Sequence, residues 1–184
     1  MKKLAAWLLT RLGWRCLPAL DEQPTHSIIC VAPHTSNTDF LIGKLYYTTI
    51  GKPHGFLMKK DWFFFPLGSI FRAMGGIPVD RSRKGDMVER LAEYIGTQQE
   101  VHIAITPEGT RSYRQDWKTG FYRIALAAGI PIELAVLDYE QREVGIFEVF
   151  HPTGDMEADI AYIRSRYSSR QAKYPNKYHD YVSE

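Results

Sequence analysis

Short apolar runs alternate with helical patterns along the 184-residue chain, the signature of an α/β domain. Residues 27–32 are apolar and β-branched and read as a buried strand ended by Pro33. Residues 39–50 read as a helix stopped by Gly51, and 54–58 as a second strand. A helix over 61–74, broken near Pro66 and Gly68, ends at Gly75 and Gly76, and a brief strand follows at 77–79. Met87, Val88, Leu91, Ala92 and Ile95 fall at helical spacing and predict a helix over 84–98. A buried strand at 101–105 precedes a helix at 117–128 that Gly129 closes. Residues 132–137 and 144–149 read as neighbouring strands, and 155–173 as a last helix with a basic C-terminal half. The expected fold is one α/β domain over residues 1–184, with a mixed, largely parallel sheet flanked by helices. Its motif-bearing core spans about 27–150.

The first 14 residues hold two lysines and then Leu4, Ala5, Ala6, Trp7, Leu8 and Leu9. Arg11 cuts this stretch too short for a signal peptide, so it reads as a short amphipathic helix, either packed on the domain or lying in a membrane interface. No run of about 18 apolar residues predicts a membrane span. Aromatic residues make up 13% of the chain and raise the question of a membrane surface. A net charge of +2 is too weak a bias to predict nucleic-acid binding by itself, and no nucleic-acid partner is expected. Cys16 and Cys30 form no disulfide framework or metal-binding pattern, which suits a reducing compartment.

Three polar loops follow predicted strands, where functional residues of such sheets gather. The first runs His34-Thr35-Ser36-Asn37-Thr38-Asp39. A histidine suits proton transfer near neutrality, and a carboxylate on one ring nitrogen leaves the other as a base. On one continuous helix the two would point about 140° apart. They meet only if His34 sits in the loop and Asp39 in the first helical turn, with Asn37 or Thr38 as the cap. On spacing alone, an ordinary first-turn acid beside a loop histidine is the simpler reading. The other histidines, including His102, read as structural or solvated. The second loop, Pro107-Glu108-Gly109-Thr110-Arg111-Ser112, offers a tight turn, hydroxyls and a guanidinium fork suited to phosphate, with Lys118 nearby. Glu108 could orient Arg111 or meet a substrate hydroxyl. The third, 80–84, opens on the Asp80–Arg81 pair that closes the stretch from Gly75 to Arg81. The nucleophile elbow of α/β-hydrolases, the P-loop, the dinucleotide fingerprint and zinc-ligand spacings are all missing. A histidine base without an obvious nucleophile suits direct attack by a substrate hydroxyl.

Four ordered blocks resemble the glycerophospholipid acyltransferase family, typified by lysophosphatidate acyltransferases. His34 and Asp39, with Ser36 between them, match its His-x4-Asp block. Gly75 to Arg81 match the second block, Pro107 to Ser112 the third, and Ile130-Pro131-Ile132 the fourth. Thr106 stands where Phe is usual, and Glu133 and Leu134 where an apolar residue and often a proline are expected. The resemblance implies a compact, bacterial-type acyltransferase. His34 would be the base and Asp39 its orienting partner. Arg81, Glu108, Gly109, Thr110 and Arg111 would bind the acceptor, with Ser36, Lys118 and Pro131 as further candidates. The implied donor is acyl-CoA or acyl carrier protein and the implied acceptor a lysolipid. No metal or other cofactor is implied. The implied location is cytoplasmic, peripheral on the inner face of the cell membrane. A thioester hydrolase and a non-catalytic phosphate- or lipid-binding protein are the competing readings.

Overall fold

A computed structural model describes residues 1–79 and 87–181. Seven strands form one sheet in the order β1-β7-β6-β2-β5-β3-β4. They are β1 (Arg15–Cys16), β2 (His26–Val31), β3 (His54–Lys59), β4 (Gly76–Val79), β5 (Val101–Ile105), β6 (Ile132–Asp138) and β7 (Glu143–Phe150). From β6 to β4 every neighbouring pair is parallel, and only β6 and β7 run antiparallel. The mixed, largely parallel sheet expected from the alternation is therefore present. The helices are α1 (Lys2–Arg11), α2 (Asn37–Ile50), α3 (Leu67–Ala73), α4 (Met87–Gly96), α5 (Gly120–Ala128) and α6 (Met156–Ser165).

One apolar layer joins β2, β5 and β6 to α4 and α5 through Ile28, Ile103, Leu134, Leu91, Phe121 and Ile124. The other joins Ile29, Ala135 and Leu137 to Leu9, Ile42, Tyr46 and Trp14. β2 alternates its side chains between these layers, which is why its apolar run is continuous. Burying each large apolar side chain contributes about 1.5–3 kcal/mol.

The departures from the sequence pattern have local causes. The 61–74 helix starts only at Leu67, because Pro66 occupies its N-cap and a short 3-10 turn, Lys60–Trp62, precedes it. The 117–128 helix starts at Gly120, and Trp117 is packed in the core instead. The last helix ends at Ser165 rather than Lys173. Beyond it Tyr167, Ala172 and Tyr178 are all buried. Those spacings do not share a helical face, so the chain folds through the 3-10 turns Ser169–Gln171 and Pro175–Lys177. β1 was not legible, being only two residues long. Residues 84–86 of the expected fourth helix lie outside the described residues.

At the end of the sheet where β2, β5 and β6 begin, three polar side chains are sealed together. The Ser27 hydroxyl donates to Glu133 Oε2 at 2.5 Å and lies 2.7 Å from His102 Nδ1. His102 Nδ1 is 3.2 Å from the same carboxylate oxygen. Glu133 is 2% exposed and His102 0%. Burial raises the Glu133 carboxyl, but the bonds from His102 and Ser27 outweigh it and hold the group below the ordinary carboxylate value. The departure at Glu133 is therefore part of a buried polar cluster of the core. His102, read as structural or solvated, is structural and has a carboxylate partner that no sequence spacing revealed.

Candidate active site

β2 lies between β5 and β6, and all three are parallel, so their following loops emerge side by side at one edge. The loop after β2 carries His34, and α2 begins three residues later at Asn37. Ser36, rather than Asn37 or Thr38, is the N-cap. Its hydroxyl accepts the Thr38 N–H at 3.1 Å, and Asp39 at the third helical position closes a capping box. Such a cap stabilises a helix by about 1 kcal/mol.

This cap also sets the chemistry. Asp39 Oδ2 accepts the Thr35 and Ser36 N–H groups, each at 2.9 Å, and the His34 Nδ1–H at 3.1 Å. Its other oxygen accepts the Tyr139 hydroxyl at 2.7 Å. Burial pushes the Asp39 carboxyl up, yet the bonds from His34, Tyr139 and Ser36 together hold it below the ordinary value. An ionised Asp39 fixes the proton on His34 Nδ1 and leaves Nε2 with the free lone pair. The pair expected from the loop-and-first-turn argument is thus assembled.

Glu108, from the loop after β5, does not do what the sequence suggested. It is buried and accepts the His34 backbone N–H at 2.8 Å, while its Oε2 has no hydrogen-bond partner. Burial pushes its carboxyl up to about 7, against the pull of that N–H. It therefore supports the His34 backbone, and it is not among the residues lining the adjoining cavity. Because His34, Thr35 and Ser36 already donate their N–H groups to Glu108 and Asp39, those three are committed to holding the loop.

Gly109 has φ 64°, and a Cβ there would stand 2.8 Å from Lys118 Nζ. Glycine thus allows the turn and brings the lysine against it. Arg111 donates to Asn37 Oδ1 at the start of α2. Gly109, Arg111 and Lys118 all line the cavity. Thr110 and Ser36 do not, and their hydroxyls accept local backbone N–H groups instead. Pro131 sits just before β6, where its carbonyl accepts the Ile28 N–H at 3.1 Å, at the far end of the sheet from His34. It is a strand-register residue and not part of the site. Arg81 lies outside the described residues. Tyr139 was missed, because nothing in its own neighbourhood of sequence marks it.

The cavity has a volume of about 910 Å³. His34 and Asp39 line it together with Lys44, Arg111 and Lys118. Its other walls are mainly apolar, with Phe40, Phe56, Leu57, Met58, Phe71, Met74 and Met87. A base, cationic side chains and a largely apolar chamber therefore share one space, which can take a molecule with an anionic head and a hydrocarbon chain. No group of three or more His, Cys, Asp or Glu side chains among the described residues is placed to hold a metal ion.

Known proteins share this arrangement of chain. A 1-acyl-sn-glycerol-3-phosphate acyltransferase of Escherichia coli strain K12 is 27% identical over 123 residues, covering 64% of this chain and 49% of its own. The human glycerol-3-phosphate acyltransferase 4 is 32% identical over 125 residues, covering 60% of this chain and 25% of its own. The chain thus spans about half the length, or less, of these relatives. The crystal structure of the 1-acyl-sn-glycerophosphate (LPA) acyltransferase PlsC from Thermotoga maritima has the same fold. It has a TM-score of 0.60 and 19% identity over 88% of this chain and 73% of that one. The Acyltransferase family matches residues 17–133, which include His34, Asp39 and the Glu108-to-Arg111 turn, and the chain belongs to that family.

Proposed function

We propose that the protein transfers a fatty acyl group from a thioester donor to the hydroxyl of a lysophospholipid such as 1-acylglycerol-3-phosphate, in phospholipid biosynthesis. One observation carries this reading: an oriented His–Asp pair on the wall of a largely apolar chamber that also holds cationic side chains. His34 Nε2 takes the proton from the acceptor hydroxyl as its oxygen attacks the thioester carbonyl. The imidazolium that forms is balanced by Asp39. Collapse of the tetrahedral intermediate breaks the C–S bond, and the proton passes from His34 to the departing thiolate. Acyl-CoA and acyl carrier protein both present the required thioester. The thioester is already activated, so the step needs no metal or organic cofactor. Arg111 and Lys118 supply positive charge for the acceptor phosphate.

The acceptor and the acyl chain are lipidic, and the surface suits peripheral attachment to the inner face of the cell membrane from the cytoplasm. α1 buries Ala5 and Leu9 against the domain but leaves Leu4, Trp7 and Leu12 exposed. Trp62, Phe64 and Phe65 are also exposed, Phe65 at 90%. Among the described residues no helix is long and apolar enough to cross a membrane. α1 is thus packed on the domain, and its exposed apolar side chains support an interfacial role.

The test is thiol release and lipid-product analysis over a panel of lysolipids, with acyl-CoA and acyl carrier protein donors supplied in turn. Acceptor-dependent release with a matching diacyl product supports transfer. Acceptor-independent release would identify a thioester hydrolase, and no turnover a binding protein.

A further inference from the structure

We propose that Tyr139 is a positioning residue for the His34–Asp39 pair, supplied by the strand on the far side of β2 from Glu108. The proposal rests on the reading of His34 as the base. β5 and β6 flank β2, and each sends one side chain to the loop that follows it. Glu108 grips the His34 backbone from the β5 side. Tyr139, the first residue after β6, grips the Asp39 carboxylate from the other.

The hydrogen bonds divide the labour between the two carboxylate oxygens. Oδ2 takes the His34 ring and two backbone N–H groups. Oδ1 takes the Tyr139 hydroxyl at 2.7 Å. The terminal torsion of an aspartate is broad and weakly defined by itself. A bond to each oxygen fixes the carboxylate plane and aims Oδ2 at His34. The donor is also chemically suited. Burial and the bond to Asp39 both raise the Tyr139 hydroxyl, so it stays protonated and donates. It stabilises the ionised Asp39 when His34 becomes charged, which opposes proton transfer from the ring to the carboxylate.

Tyr139 is itself held from both ends of the chain. Its ring meets Trp14, just after α1, edge-on at 4.9 Å. Its backbone N–H donates to the Gln171 carbonyl at 2.9 Å. Lys173 Nζ lies 6.0 Å from its ring and donates to Thr38 at the start of α2. Tyr174 N–H reaches the Thr35 hydroxyl at 3.2 Å. Tyr139, Gln171, Lys173 and Tyr174 all lie beyond the 17–133 stretch that the family matches. The C-terminal turns therefore strap the catalytic loop both directly and through Tyr139.

Tyr139→Phe keeps the ring on Trp14 and deletes only the hydroxyl. The expected result is a fall in kcat of about tenfold, from the loss of one hydrogen bond to a charged group. KM for donor and acceptor should stay near wild type, and the melting temperature should fall by only a few degrees. Two further readouts separate positioning from general support. In the Asp39→Asn background the same change should cost no further rate. In protein labelled with 15N-histidine, the His34 Nδ1–H resonance, assigned by its absence from His34→Ala, should move in Tyr139→Phe. An unmoved resonance with unchanged kcat overturns the proposal, as does a rate loss that persists undiminished on top of Asp39→Asn. If the wild type transfers no acyl group, the function assignment fails by itself, and the resonance still decides whether Tyr139 sets the pair.

Discussion

The two ends of the sheet each hold a histidine against a buried carboxylate at nearly the same separation. His34 and Asp39 are 3.1 Å apart where β2 ends, and His102 and Glu133 are 3.2 Å apart where β2, β5 and β6 begin. Residue types and distances do not tell them apart. Access does. His34 lines a chamber of about 910 Å³, so one ring nitrogen can meet a substrate. His102 is fully enclosed, with Ser27 beside one nitrogen and Glu100 3.4 Å from the other. The first pair can move a proton to and from a ligand. The second satisfies buried polar groups, which cost free energy when left unpaired.

The contrast breaks most visibly in rate against stability. Asp39→Asn should lower turnover on the order of 10²–10⁴-fold, because the ring loses its tautomer and counter-charge. A loss of only a few-fold in steady-state kinetics would place Asp39 in the cap alone. His102→Ala should instead destabilise the fold by about 3–5 kcal/mol, because it leaves Glu133 buried with only the Ser27 hydroxyl. Chemical denaturation measures this, and kcat of the folded fraction should remain near wild type. A large kcat loss at unchanged stability would erase the distinction between the two ends.

Glu108 sharpens the comparison by its sign. Its carboxyl is raised to about 7 in the folded protein, so the native state keeps a proton that the unfolded chain has released. The stability it contributes therefore falls as pH rises from about 4.5 to about 7, by about 1.4 kcal/mol per unit at most. Glu133 and Asp39 are lowered instead, so their contribution is kept through that window and lost at more acid pH. Urea titrations across pH should show a shallower slope between 4.5 and 7 in Glu108→Gln than in wild type. Equal slopes would show that Glu108 ionises as freely folded as unfolded. The smallest effect is expected among the cationic side chains. Arg111→Ala should raise the acceptor KM about tenfold with little change in donor KM. A dominant donor effect would move the carrier's phosphates to these side chains.

Much of the reactive end was legible because its signals are local. His34, Asp39 and the Gly109 turn lie within two short loops, and strand alternation places those loops after neighbouring strands. The cap falls one or two residues before the expected Asn37 or Thr38, since Ser36, Asn37 and Thr38 are all competent caps. Glu108 was assigned to the acceptor through the family resemblance of its block, whereas its burial, and its closeness to the distant Tyr167 and Tyr178, follow from the fold. Tyr139 and the Ser27–His102–Glu133 cluster were invisible for the same reason. Their partners are separated by roughly a hundred residues along the chain, and only the strand order brings them together. The end of α6 failed because the apolar residues beyond it follow no helical period.

The comparison is settled by acyl transfer in His34→Ala, measured as thiol release at saturating donor and acceptor beside the melting temperature. A drop on the order of 10²–10⁴-fold with a melting temperature lowered by no more than a few degrees is expected of a general base here, because Asp39 keeps the Thr35, Ser36 and Tyr139 donors when the ring is lost. A folded His34→Ala protein that works within a few-fold of wild type would show that the open pair is as structural as the sealed one.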